Sequence, residues 1–77
     1  MEPVKLSDLA VKGRCRIVKI AGSKMIKKRL LEMGFVRGTE IYVQKVAPLA
    51  DPMELVLKGY HLSLRREEAK DVYVDKI

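Results

Sequence analysis

The hydrophobic positions change period along the chain, and that change sets one helix apart among strands. Between Ser23 and Gly34 the apolar residues Ile26, Leu30 and Met33 recur three and four apart, the spacing of one helical face. Ser23 can cap the first free amides and Gly34 supplies a stop, so the pattern predicts a short helix here. A helix of about ten residues is marginal in water by itself. The rest of the chain must give its stripe a surface to cover.

Elsewhere the period is two. Arg14 to Ala21 places Cys15 and Ile17 on one side and Val18 and Ile20 on the other, a first strand. Thr39 to Ala47 is rich in β-branched and aromatic residues and predicts the longest strand, with Ile41 and Val43 on one face. Met53 to Leu57 and Tyr60 to Leu64, joined by Lys58-Gly59, read as a hairpin in which Tyr60, Leu62 and Leu64 alternate with His61 and Ser63. Val72 to Val74 is the last strand. Leu6 to Leu9 predicts a single turn capped by Ser7 or Asp8, and Arg65 to Lys70 another. Gly34 and Gly38 bracket a tight connection in which both glycines can take positive φ. Pro48 to Pro52 cannot continue a central strand and reads as an exposed loop of defined shape. Five short strands and one inserted helix can protect their edges only by closing up, so residues 1–77 are expected to form a single domain that is mainly β, a small SH3-like five-stranded antiparallel barrel with one inserted short α-helix.

Length and charge narrow what such a barrel can do. With 77 residues the core is small and leaves little room for a deep active site, which argues against an enzyme. Cys15 has no neighbouring His, the glycine turn lacks the Lys of a phosphate loop, and no catalytic residue is assigned. Sixteen Lys and Arg against ten Asp and Glu give a net charge of +6 and favour anionic partners: an acidic protein face, an anionic membrane surface or RNA. Lys24, Lys27, Lys28 and Arg29 concentrate that charge on the helix. The single cysteine fits a reducing compartment, and no apolar run approaches a membrane span, so a cytoplasmic location is expected. No metal ligands stand at close spacing; His61 is the one weak candidate, so no cofactor is expected beyond weak transition metal ion binding.

Three segments, taken together and in order, resemble the FeoA family of bacterial ferrous iron uptake. Arg29-Leu30-Leu31-Glu32-Met33-Gly34-Phe35-Val36-Arg37-Gly38-Thr39 is similar to the family's Arg-Leu, Met-Gly and second-glycine pattern. Ala47 to Pro52 is similar to its proline-bracketed loop, and Leu62 to Ala69 to its last hairpin strand and polar turn. Arg37 stands where a proline commonly precedes the second glycine, and Ala50 where a glycine commonly precedes Asp-Pro. A related SH3-like domain ends some metal-dependent repressors, but this chain has no room for their DNA-binding helices. The resemblance implies an accessory or regulatory protein that binds the cytosolic part of a membrane ferrous iron transporter carrying its own GTPase domain, peripheral to the membrane through that partner. On this reading Met25, Lys28, Arg29, Leu31, Gly34, Arg37, Gly38, Leu49 and Asp51 are the expected partner-binding residues. The alternative is a small basic RNA-binding barrel, which the scarcity of aromatic residues among the basic ones counts against.

Overall fold

The computed structural model describes residues 3–9, 12–45 and 52–77. Its strands are β1 (Val4–Lys5), β2 (Gly13–Ile20), β3 (Glu40–Lys45), β4 (Met53–Leu57), β5 (Tyr60–Leu64) and β6 (Val72–Lys76). They form one antiparallel sheet in the order β1-β6-β2-β3-β4-β5. Two helices interrupt them, α1 (Lys24–Glu32) between β2 and β3 and α2 (Arg66–Ala69) between β5 and β6. The expected mainly β, SH3-like architecture is present with six strands in place of five. The addition is β1, two residues that pair Val4 with Val74 and Lys5 with Tyr73. A strand this short carries no alternation to detect.

One face of the sheet makes the core. Cys15 and Ile17, Ile41 and Val43, Met53, Leu55 and Leu57, Leu64, and Val72 and Val74 all point inward at every second position and are buried. Two β-bulges, between Ile17 and Lys19 and between Val43 and Lys45, keep the inward series in phase while bending the strands. Ile20, expected on the same side as Val18, is instead brought by the bulge in β2 opposite buried Val72 and packs, half-buried, against the core, while Val18 at the bulge is half-buried. α1 closes one mouth of the curved sheet through Leu30, with Ile26 and Met33 packed beside it, and Phe35 follows fully buried. Burying that ring contributes about 3 kcal/mol.

The two ends of the sheet meet through local turns. Leu6–Asp8 form a 3-10 turn that buries Leu6, and Leu9 follows into the core. Its cap position is held by Lys5 in extended conformation with no side-chain bond, so neither Ser7 nor Asp8 caps it. This turn packs against α2, and the Arg66 guanidinium donates to the Ser7 carbonyl at 3.1 Å. In the hairpin, Lys58 at φ +52 and Gly59 at φ +82 give the left-handed pair that a two-residue β-turn needs. Tyr60, expected to alternate inward, is instead exposed, because it sits on the edge strand beside the turn, where no strand among the described residues covers the ring.

Candidate functional site

α1 forms for the reasons its sequence suggests. The Ser23 hydroxyl accepts from the Ile26 amide at 3.3 Å, and Met33 and Phe35 amides close the last turn on Arg29 and Leu30 carbonyls. Gly34 then turns away at φ +98. With Ile26, Leu30 and Met33 facing the core, the helical spacing sends Lys24, Lys28 and Leu31 outward together, with Lys27 and Met25 on the flanks. Met25 is 80% exposed and Leu31 52% exposed.

The electrostatics of this face are unusual for a surface helix. Lys24 and Lys27 lie at the positive end of the helix dipole, and no acidic residue stands in the first turn. Lys24, Lys27 and Lys28 make no ion pair with any described residue. Cations at a helix N-terminus cost a few tenths of a kcal/mol or more each. Folding alone does not ask for them there.

The structure does not give every expected site residue the same standing. Met25, Lys28 and Leu31 share the exposed face of α1, and Arg37 is exposed at the turn that follows. Arg29 turns toward α2, where its Nε lies 3.2 Å from Glu68 Oε2. Gly34 is half-buried, and a Cβ there would come within 2.9 Å of Leu57 Cδ2. Gly38, at φ +89, is open to solvent and ties the turn to β2 by donating to the Ile17 carbonyl at 2.7 Å. Leu49 and Asp51, with most of the proline-bracketed loop, lie outside the described residues.

Other candidate groups have simpler surroundings. Cys15 is buried, and loss of solvation pushes its thiol up to about 11, so it stays protonated at neutral pH and is a poor nucleophile. His61 lies on the outer face of β5 with Nδ1 3.3 Å from Gln44 Oε1, beside Glu54 in a hollow of about 110 Å³. Among the described residues no three His, Cys, Asp or Glu side chains come together as a metal site. No helix among them is long and apolar enough to cross a membrane. Arg14 pairs with Glu40 at 3.8 Å and Lys19 Nζ lies 5.9 Å from the Tyr73 ring centre, so the basic residues of β2 are partly engaged, while in α1 Arg29 is engaged by Glu68 and the three lysines pair with no described residue. The sequence pattern placed Tyr60 inside; its position next to the hairpin turn was the available signal that it would be exposed.

Known proteins place this arrangement. The family model of the FeoA domain matches residues 4–76. Over 74 residues the chain is 42% identical to the Fe(2+) transport protein A/Fe(2+) transporter FeoB fusion protein of Porphyromonas gingivalis, covering 96% of this chain and 9% of that protein. The solution structure of a FeoA-like protein from Clostridium acetobutylicum superposes with a TM-score of 0.89 at 38% identity, over 100% of this chain and 90% of that one. The crystal structure of an iron uptake regulatory protein (FeoA) gives a TM-score of 0.88 at 25% identity, over 97% and 99% of the two chains. ScaR with bound Zn2+ shares the fold alone, at a TM-score of 0.88 and 20% identity, with this chain matching 38% of its length. With the family model spanning β1 to β6, this chain belongs to the FeoA family.

Proposed function

We propose that this protein is an accessory protein of ferrous iron uptake that docks, on the cytosolic side, onto the GTPase-bearing part of a membrane iron transporter. The observation that carries the reading is the outward face of α1, where Met25 and Leu31 are exposed among lysines that have no acidic partner among the described residues. Lysines held against the helix dipole with no compensation from the described residues are what a surface awaiting an acidic partner requires. Leu31, with Lys28 one turn before it and Lys24 two turns before it, offers an apolar anchor ringed by charge, the arrangement in which a small number of side chains dominate binding.

Family membership supports the choice of partner. In the Porphyromonas gingivalis relative an iron transport protein A and a transporter FeoB form one polypeptide, and such tethering raises the effective concentration of two modules that act together. Arg37 and Gly38 follow at the end of α1, and Leu49 and Asp51 remain expected partner-binding residues in this proposal. Arg29 and Gly34 contribute by fixing α1 on α2 and on Leu57.

The test is the affinity of purified protein for the cytosolic GTPase portion of the transporter from the same genome. Leu31→Glu is expected to weaken binding at least tenfold, a loss of about 1.4 kcal/mol, while leaving the unfolding midpoint nearly unchanged. Unchanged affinity in both Leu31→Glu and Met25→Glu would remove α1 from the interface.

A further inference from the structure

We propose that the free edge of β5 is a second recognition site, one that accepts an extended segment of a partner protein whose central residues are uncharged and whose two ends are acidic. It goes beyond the α1 surface and does not depend on the identity of the transporter.

The register fixes which backbone groups are on offer. Leu57 and Tyr60 flank a two-residue turn, so they exchange both of their hydrogen bonds, and the next such pairs are Leu55 with Leu62 and Met53 with Leu64. Tyr60, Leu62 and Leu64 therefore spend their amides and carbonyls on β4. Those of His61 and Ser63 point away from it, toward the open edge. Among the described residues no group bonds to them, and β5 has no strand neighbour on that side. The His61 ring is turned over the outer face toward Gln44, which leaves the edge clear.

The edge also lacks the usual protection. Exposed edges are commonly blunted by charge, proline or a bulge. Tyr60-His61-Leu62-Ser63-Leu64 has no Lys, Arg, Asp, Glu or Pro, and its ladder with β4 is regular. Tyr60 is exposed and Leu62 half-buried, so an added strand would find apolar side chains on one face of the pairing.

Charge decides between occupants. Cations stand at both ends of the strand, Lys58 at the turn and Arg65 and Arg66 beyond Leu64. Two copies of this chain paired antiparallel about Leu62 would bring the Lys58 end of each strand toward the Arg65 and Arg66 end of the other, and these like charges repel. A partner strand with acidic ends meets the same cations favourably, and its uncharged middle pairs with His61 and Ser63.

The probe is the nonapeptide acetyl-Glu-Asp-Val-Thr-Val-Thr-Val-Asp-Glu-amide, with a version carrying Lys at the four acidic positions as control, titrated into nitrogen-15-labelled protein. The His61 and Ser63 amides are expected to shift most and to exchange more slowly with solvent, and the lysine version is expected to leave them unmoved. Ser63→Pro removes one outward donor at an edge position that tolerates proline and should weaken binding about tenfold. Lys58→Asn keeps the left-handed turn, removes one terminal charge and should weaken it several-fold. Three results would overturn the proposal: shifts centred on α1, equal binding of the lysine version, or concentration-dependent protection of His61 and Ser63 without peptide, which would make the occupant a second copy.

Discussion

Gly34 and Gly38 share a backbone conformation but not their surroundings. Both have φ near +90, where a side chain is strained by about 1–3 kcal/mol. At Gly38 an added Cβ meets open space, whereas at Gly34 it meets buried Leu57 at 2.9 Å. Gly34→Ala should therefore lower the urea midpoint clearly more than Gly38→Ala; equal losses would mean that Leu57 yields freely. The requirement for positive φ was legible in the sequence. The contact with Leu57 was not, because it joins residues more than twenty apart.

Cys15 supplies a second residue-scale outcome. Burial raises its pKa to about 11 in the folded chain, above the ordinary thiol value, so the folded state favours the protonated form. The stabilisation is complete below the unfolded thiol's pKa and is lost as pH rises toward 11, by up to about 3 kcal/mol. Denaturation of the wild type and of Cys15→Ala from pH 8 to 11 should show a steeper fall in the wild type. Parallel curves would contradict this account of the thiol.

At the scale of elements, α1 and α2 were predicted separately and the structure ties them together. Glu68 Oε1 accepts from the Arg65 amide at 3.2 Å, while Oε2 faces Arg29 of α1 at 3.2 Å. One side chain thus starts α2 and anchors α1. Glu68→Ala should cost about 1 kcal/mol, mostly through the lost cap, since a half-exposed ion pair adds little. Glu68→Gln, which retains an acceptor, should cost less by the same denaturation measurement. The helix and the hairpin were legible because their periodicities are long and their end signals strong. β1 was not, being two residues held only by β6, and the cap of the 3-10 turn falls on Lys5, which has no capping chemistry.

α1 also separates stability from binding. Replacing Lys24 by Glu places an acid at the positive end of the helix dipole, and should raise stability by about 0.5–1 kcal/mol while weakening attachment to the transporter. Thermal melting and affinity measured on that one variant check both halves. A variant that gained stability and bound as well as the wild type would show that Lys24 faces only solvent.

On the scale of the whole molecule, a six-stranded sheet gathers most of its aliphatic residues in a single core, with the 3-10 turn and α2 joining its ends. On its surface, α1 carries three lysines that no described residue compensates. The candidate face could be read from the sequence as a basic run with Met25 and Leu31 among it, because helical spacing alone places those residues outward. Spacing could not show that Arg29 is spent on Glu68 or that the lysines lack partners among the described residues, since both depend on where other elements lie. The measurement that bears most directly on the docking proposal is an amide NMR titration of the labelled protein with the transporter's cytosolic GTPase portion at physiological salt, where loose attraction is screened. The account predicts shifts concentrated on Lys24 to Leu31 and continuing to Arg37; a spectrum unchanged at saturating partner would contradict it.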